Sequence, residues 1–317
     1  MTPEALFAGH ADGPGLVAAA GDAPCDLPGL FAREAGRIDA ALADRGALLF
    51  RGFRIAGAAG FDESLRALGA TPFGYVGGDS PRRAIGGDVF TSTEHPPSET
   101  ISLHHEMSYL PRWPTRLAFF AERAPAANGQ TALAMTRAVT RAIPAPVAAR
   151  FAERGLRYIR NFFAGLPLGR SWQQTFGTDD RDAAERIARD QGSSCRWAAD
   201  GSLRVETPRD AFLPAPGDGA PLWFNQAEQW HPSALAPAAR ALFEAMLGSG
   251  RLPHDCTHGD GTPIDPGDLA AVRAALAGAK WLFDWADGDL LLLDNRLVMH
   301  GREPFAGPRR ILAYLAA

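Results

Sequence analysis

The sequence predicts a mainly β fold with α-helices, a double-stranded β-helix (jelly roll) with helices packed outside it and a helical insertion. Short apolar runs typical of strands recur along the chain, at residues 47–50, 117–121, 131–135 and 310–315. Amphipathic segments with helical spacing lie between such runs, at residues 30–42, 235–247 and 266–277. No second core is evident, so we expect residues 1–317 to form one domain.

Composition and charge exclude several classes of protein. The chain is 46% hydrophobic and 21% charged, which is typical of a globular protein with a sizeable core. Its net charge is −4 with both signs interspersed, so we expect no nucleic-acid surface and no polybasic membrane patch. No apolar run could span a bilayer, and no signal pattern opens the chain. Three distant cysteines (Cys25, Cys195 and Cys256) argue against a disulfide framework and for a cytoplasmic location.

The first hundred residues are predicted to contain an arm, two helices and a loop. Residues 1–25 are rich in Gly, Ala and Pro, which indicates an irregular arm with a short strand at residues 15–19. A second helix, after the one at residues 30–42, is expected over residues 61–68. Residues 71–97 are polar and Gly-rich and read as a long loop, either a lid or a disordered segment. Their place directly before the motif described below favours the lid.

The middle of the chain, residues 136–190, is predicted to be a mostly helical insertion interrupted by one strand at residues 155–161. After it we expect a hairpin and two further strands. The hairpin joins residues 195–198 to 203–206 through an Asp-Gly turn. The other strands cover residues 222–226 and 281–285, the second with alternating aromatic residues that should pack into the core.

The stretch at residues 101–109 carries His104 and Glu106 two positions apart. Side chains two apart on a strand point the same way, so an imidazole nitrogen and a carboxylate oxygen can meet at one point, while His105 faces the other side. The spacing alone is weak evidence, because a His-x-acid pair also occurs at residues 10–12 and 258–260.

Later residues supply the missing context. An apolar run at residues 290–293 leads to His300, and Arg309 and Arg310 follow nine and ten residues after it. Two histidines and one carboxylate on one side of an iron form the facial triad of non-haem Fe(II) oxygenases. An arginine supplies a planar fork that pairs with a carboxylate.

These residues resemble the taurine dioxygenase-like (TauD/TfdA) branch of the Fe(II)/2-oxoglutarate oxygenases. The likeness is greatest to the syringomycin-type hydroxylases, whose His-x-Glu-Met-Ser-Tyr-x-Pro-x-x-Pro stretch is matched from His104 to Pro114. The resemblance extends from about residue 46 to the C-terminus, and four blocks carry it: residues 46–53, 91–114, 129–131 and 285–310.

The resemblance implies a cofactor, a co-substrate and the residues that hold them. Fe(II) would be bound by His104, Glu106 and His300, with 2-oxoglutarate and O2 as co-substrates. The far carboxylate of 2-oxoglutarate would pair with Arg310, and the hydroxyl of Thr131 would also contact 2-oxoglutarate. Arg309 and Arg302 are the alternatives to Arg310. Without the resemblance, Thr131 reads simply as a β-branched residue that starts a strand.

The resemblance also narrows the reaction. Related halogenases have a small residue in place of the carboxylate, so Glu106 favours hydroxylation. Tyr314 stands where the taurine enzyme has its sulfonate-binding arginine, which disfavours a sulfonate. We therefore expect a small substrate, an amino acid or a derivative of one, free or bound to a carrier protein in secondary metabolism. Its candidate contacts are Arg82, Arg83, Glu94, Asn225 and Arg302. The alternative for Asn225 is that it forms a strand-end hydrogen bond. The alternative for Arg82, Arg83 and Glu94 is that they lie on a solvated loop.

Other interpretations stay open at this point. A desaturase or an epoxidase uses the same iron site, and a non-catalytic metal-binding jelly roll belongs to a different class of protein. The residues His254, Cys256 and His258, with Asp260, form a rival metal cluster, although an exposed loop is the simpler interpretation. Assembly into a homo-oligomer is compatible with the sequence and not required by it.

Overall fold

The computed structural model describes residues 8–9, 15–18, 25–80, 82–166, 168–248 and 250–317. Most of the predicted arm, with His10 and Asp12, lies outside the described residues. Inside it are strands β1 (Ala8–Gly9), β2 (Gly15–Ala18) and β3 (Cys25–Asp26). The predicted strand at residues 15–19 thus corresponds to β2, and its last residue lies outside the described part.

The elements up to residue 135 are mainly strands. They are α1 (Leu27–Arg45), β4 (Ala47–Arg51), β5 (Phe53–Arg54), α2 (Gly57–Ala67), β6 (Ala84–Gly86), β7 (Val89–Thr91), β8 (Ile101–His104), β9 (Arg116–Arg123), β10 (Ala127–Asn128) and β11 (Thr131–Met135). Two of them correct the prediction that residues 71–97 are a loop throughout. β6 and β7 pair as a hairpin, and β7 pairs with the last strand of the chain.

Helices and short strands alternate from residue 136 to residue 223. They are α3 (Thr136–Ala142), α4 (Ala145–Arg154), β12 (Leu156–Phe162), α5 (Trp172–Phe176), α6 (Arg181–Asp190), β13 (Ser194–Trp197), β14 (Leu203–Arg209), β15 (Phe212–Pro214) and β16 (Pro221–Trp223). The predicted hairpin is confirmed, because β13 and β14 pair antiparallel with Trp197 opposite Leu203.

The last third of the chain returns to the β core. Its elements are α7 (Ala227–Trp230), a 3-10 helix (Pro232–Ala234), α8 (Pro237–Leu247), β17 (His254–His258), α9 (Pro266–Ala279), β18 (Trp281–Phe283), β19 (Leu290–Asp294), β20 (Val298–Arg302), β21 (Phe305–Ala306) and β22 (Arg310–Ala316). No helix in the described ranges is both long and apolar enough to cross a membrane.

The predicted jelly roll is confirmed by two sheets that share one core. The larger sheet has the strand order β1-β2-β4-β19-β9-β22-β7-β6, and the smaller one has the order β18-β11-β20-β8. Successive side chains on a strand point to opposite faces, so each strand of the large sheet contributes to two layers. Leu49, Phe119 and Leu291 face the small sheet and pack in one cluster with Leu103 and others from it.

The opposite face of the large sheet is covered by helices. Leu48, Phe120 and Leu292 alternate with the inward-facing residues and pack against α1 and α2 in a second buried cluster. Burial on both faces explains why strands such as β19 are almost continuously apolar. It also explains why α1 and α2 show one apolar stripe each, as the sequence spacing predicted.

A third sheet, with the order β13-β14-β12-β17, lies outside the two core sheets. It corrects the interpretation of residues 254–258 as an exposed loop, because this segment is a strand that pairs with β12 over five residues. Cys256 and His258 are both buried in it. Residues two apart on a strand share one face, so the His-x-Cys-x-His spacing reflects the face of β17 that is turned inward.

Candidate active site

Two neighbouring strands of the small sheet bring the predicted histidines together. β20 pairs antiparallel with β8, and His300 lies directly opposite His104, just before a bulge that shifts the register at Arg302. Residues directly opposite in an antiparallel pair have side chains on the same face. The two imidazole rings are therefore neighbours, with centroids 4.3 Å apart.

The Glu106 carboxylate lies at the same point, but Glu106 is in a turn and not on the strand that the sequence indicated. The strand ends at His104, and Glu106 lies in the following turn, where Met107 adopts φ = 56°. The fully buried Asn295 holds this turn: its side-chain oxygen accepts from the Glu106 amide (2.9 Å) and its side-chain nitrogen donates to the Glu106 carbonyl (3.0 Å). Asn295 thus positions the carboxylate, and strand alternation does not.

His104, Glu106 and His300 each offer one ligand atom within 4.8 Å of the others. The Glu106 carboxylate lies 3.8 Å from Nε2 of His300. In the neutral tautomer, His104 donates from Nδ1 to the Ser102 carbonyl (2.9 Å), which leaves Nε2 free as a ligand. Burial lowers the pKa of both histidines, that of His300 well below its usual value, so both rings offer a lone pair at neutral pH.

Two neutral imidazoles and a carboxylate, without a thiolate, fit Fe(II). The adjacent His105 takes no part in this cluster. It is fully buried on the other side of the chain, with Nδ1 2.5 Å from the Asn295 carbonyl and Nε2 3.2 Å from the Trp223 carbonyl. The register that separates His104 from His105 is therefore the one expected from the sequence.

A cavity adjoins the two histidines and is rich in positive charge. Its described lining includes three arginines and no acidic residue, and it consists of Ser80, Arg82, Ser92, Thr93, His95, Ile101, His104, Phe119, Thr131, His300, Gly301, Arg302, Arg309 and Ile311. An anion with more than one negative charge is the ligand that such a lining suits.

Arg310 lies outside this cavity, although the resemblance implied that it binds 2-oxoglutarate. Arg310 is exposed and forms an ion pair with Glu122 on the outside of the sheet. Arg309, one residue earlier, lines the cavity together with Ile311, and its Nε is buried without a hydrogen-bond partner. Burial lowers the pKa of Arg309 to about 10, and the nearby Arg302 adds to this effect, so the guanidinium stays charged at neutral pH.

Thr131 lines the same cavity, and a tryptophan fixes the role of its hydroxyl. Nε1 of Trp285 donates to Oγ1 of Thr131 at 2.9 Å, and both side chains are buried. An indole N–H can only donate, so the Thr131 hydroxyl accepts this bond and its own proton points elsewhere. The alternating aromatic residues at 281–285 predict only that Trp285 packs into the core, and its spacing two residues after Phe283 gives no sign of this contact.

Arg82 also reaches the cavity, from the loop at residues 71–97. Its side chain is 4% exposed, and its Nη2 donates to the Glu106 carboxylate at 2.5 Å. The guanidinium lies over the ring of Tyr75, 5.0 Å from its centroid. Nε and Nη1 of Arg82 are buried and have no hydrogen-bond partner.

The remaining candidate substrate contacts lie elsewhere or are engaged by the fold. Glu94 pairs with Arg83, which is 78% exposed, so this pair belongs to the solvated surface. Asn225 is buried, donates to the Ala211 carbonyl (2.9 Å) and accepts from the Ala227 amide (3.1 Å), the strand-end alternative. Arg302 lines the cavity, but both its Nη atoms donate to backbone carbonyls of residues 95–99.

The rival cluster does not assemble. His254 bonds to Asp79 (2.9 Å), whereas His258 packs against Phe151. Among the described residues, His104, Glu106 and His300 form the one group of three with metal-ligand geometry.

A jelly roll with two histidines and a carboxylate converging beside a cationic cavity defines the class of non-haem iron oxygenases. The chain matches the taurine catabolism dioxygenase TauD, TfdA family over residues 12–315, and it belongs to that family. It is therefore an Fe(II)- and 2-oxoglutarate-dependent dioxygenase that uses O2 and acts on a small molecule.

Individual relatives agree with this assignment. The chain is 35% identical over 274 residues to the dapdiamide synthesis protein DdaC of Enterobacter agglomerans, which covers 86% of this chain and 83% of the relative. It is 34% identical over 287 residues to a clavaminate synthase-like protein of Arabidopsis thaliana, covering 88% and 83%. The solved structure of PvcB from Pseudomonas aeruginosa matches with a TM-score of 0.55 at 15% identity, over 96% of this chain and 86% of that one, which shows a shared fold.

Proposed function

We propose that this dioxygenase hydroxylates an unactivated C–H bond of an amino acid or an amino-acid derivative, with iron held by His104, Glu106 and His300. The supporting observation for the substrate class is the likeness to a protein of dapdiamide synthesis. The carboxylate Glu106 supports hydroxylation over halogenation, as the resemblance implied. Desaturation or epoxidation at the same iron is the second candidate, because outcome depends on where the reacting carbon lies.

The observation that carries the site assignment is that Arg309, whose buried Nε lacks an acceptor, and the oriented Thr131 hydroxyl both line the cavity beside the two histidines. We assign the far carboxylate of 2-oxoglutarate to Arg309 and not to Arg310. A buried N–H group without an acceptor is unfavourable, and an incoming carboxylate would accept from this Nε. The Thr131 hydroxyl accepts from Trp285 through one of its two lone pairs and can donate its proton to the same co-substrate.

Iron(II) bound at this site supplies the activation of O2 that is coupled to oxidative decarboxylation of 2-oxoglutarate. The protein's part is to hold ligands, orient both organic molecules and exclude water. Asn295 holds the turn that presents Glu106, and Ser102 sets the tautomer of His104. Such contacts around the ligands commonly decide metal affinity.

Residues 71–97 act as the lid in this proposal. Ser80, Arg82 and Ser92 of this segment line the cavity. The segment is also anchored at residues 77–79, where Arg160 donates to the Gly77 carbonyl (2.9 Å) and the Asp79 amide donates to the Tyr109 hydroxyl (2.8 Å). In the described arrangement the lid is therefore folded over the site.

The domain organisation, the location and the form of the substrate are proposed from the sequence. The chain acts as a single oxygenase domain, with residues 136–190 as an insertion and residues 1–25 as an arm, and it works in the cytoplasm. The substrate is free or is delivered on a carrier protein. A homo-oligomer is compatible with this activity.

The test is anaerobic titration of the purified protein with Fe(II) and 2-oxoglutarate, followed by product analysis. We expect a weak visible charge-transfer band that requires both additions. On admission of O2, an amino-acid panel, free and carrier-tethered, should yield one product that is 16 mass units heavier. A product lighter by two hydrogens would support desaturation instead. Absence of the band with intact, folded protein would contradict the proposal.

A further inference from the structure

The loop residue Arg82 is a buried cation, and only one of its three side-chain nitrogens bonds to the metal site. One of its nitrogens, Nη2, donates to Glu106. The other two, Nε and Nη1, are buried without acceptors, although the side chain lines the cavity beside His104 and His300. Buried N–H groups of a charged side chain are rarely left unpaired in a working site.

The charges around the cavity also indicate that it binds a further anion. Arg82, Arg302 and Arg309 all line it, and the neighbouring anion Glu106 balances one of the three cations. The two positive charges of Fe(II) and the two negative charges of 2-oxoglutarate cancel each other. The carbonyl groups that accept from Arg302 are neutral, so a surplus of positive charge stays beside the reacting position.

We propose that Arg82 binds a carboxylate of the substrate, and that the enzyme therefore acts on a molecule that keeps at least one free carboxylate next to the iron. The inference rests on the proposed function and deepens it, because it selects the chemical class of substrate. Arg309 is separate from Arg82: it lies with Arg302 against Phe305, whereas Arg82 lies against Tyr75 and Glu106. The two guanidiniums thus have different surroundings, and we assign 2-oxoglutarate to Arg309 and the substrate to Arg82.

Two kinds of substrate carry such a group. One is a free amino acid, through its α-carboxylate. The other is an acidic amino acid tethered as a thioester, whose side-chain carboxylate remains free. An amino acid with a neutral side chain that is tethered through its only carboxylate belongs to neither kind and is excluded.

The experiment measures binding to the anaerobic enzyme loaded with Fe(II) and 2-oxoglutarate, through the shift of the visible band. The probes are the twenty L-amino acids, their α-carboxamides, and the pantetheine thioesters of aspartate and asparagine. We expect one carboxylate to bind at least about 30-fold more tightly than its neutral counterpart. Preference for a free amino acid over its carboxamide identifies the first source, and preference for aspartyl over asparaginyl thioester identifies the second.

Variants assign this preference to one residue. Arg82→Met should weaken binding of the acid by about 30-fold and leave binding of the neutral counterpart unchanged. Arg83→Met is the matched control, since Arg83 is adjacent but 78% exposed, and it should change neither. The wild-type comparison stands even if Arg82→Met folds poorly.

The outcomes separate this inference from the proposed function. Failure to form the band with Fe(II) and 2-oxoglutarate would contradict the proposed function itself. A normal band with a neutral counterpart bound as tightly as its acid would overturn the role of Arg82. The role of Arg82 would also be overturned if folded Arg82→Met kept the preference for the acid over its neutral counterpart. The same holds if no carboxylate in the panel shifts the band.

Discussion

Replacing Arg309 by methionine should weaken 2-oxoglutarate binding strongly, whereas the same change at Arg310 should not. Removing one partner of a buried, hydrogen-bonded charge pair costs about 2–5 kcal/mol. Arg309 is only partly buried, so we take the lower part of this range, about 2–3 kcal/mol, which corresponds to about 30- to 150-fold weaker binding. Arg309→Lys keeps the charge but loses the fork and should fall between wild type and Arg309→Met.

The matched control is Arg310→Met. Its ion pair with Glu122 is on the surface, where the side chain of Arg310 is 54% exposed. Surface pairs contribute about 0–1 kcal/mol to stability, so a small change in melting temperature and an unchanged 2-oxoglutarate requirement are expected.

The assay is a titration of 2-oxoglutarate followed both by the anaerobic charge-transfer band and by succinate formation. Iron binding, measured separately, should stay intact in both variants, because neither arginine is a ligand. If Arg310→Met raises the requirement for 2-oxoglutarate and Arg309→Met leaves it unchanged, Arg309 does not bind the far carboxylate.

Three further predictions follow from the site. His104→Ala should abolish iron binding, measured by metal analysis after desalting, whereas folded His105→Ala should retain iron; the reverse result would mean that the register is off by one residue. Trp285→Phe removes the donor to Thr131 and should raise the 2-oxoglutarate requirement by about 5-fold, an effect of about 1 kcal/mol, while Trp281→Phe should not. Limited proteolysis should cut within residues 71–97 and be suppressed by a verified substrate; equal cleavage with and without it would contradict the lid.

Local sequence was sufficient to predict the elements whose apolar pattern reflects packing against a single neighbouring element. α1 and α2 show an apolar stripe because each lies against one face of the large sheet. β13 and β14 follow from alternation and an Asp-Gly turn. His104 and Glu106 lie together because a histidine and a carboxylate two residues apart stay close in either a strand or a turn, whereas His300 joins them through the pairing of β20 with β8.

Contacts between distant segments were beyond the reach of the sequence. Asn295 and Glu106 are 189 positions apart, and Trp285 and Thr131 are 154 apart, so no local period links them. Pairing of β7 with β22 likewise orders a stretch whose composition alone indicated a loop.

Arg309 and Arg310 show most directly what the sequence predicts and what only the tertiary structure determines. The sequence determined that a basic pair begins the last strand after His300, and hence that a carboxylate partner is available. It could not determine which arginine faces inward, because β22 is buried on both faces and its residues are apolar at every position from Ile311 to Ala316. Only the packed sheets decide: Ile311 lies toward the inner core and Leu312 toward the helices. Arg309, the residue before β22, lines the cavity on the inner side with Ile311, whereas Arg310 pairs with Glu122 on the outside.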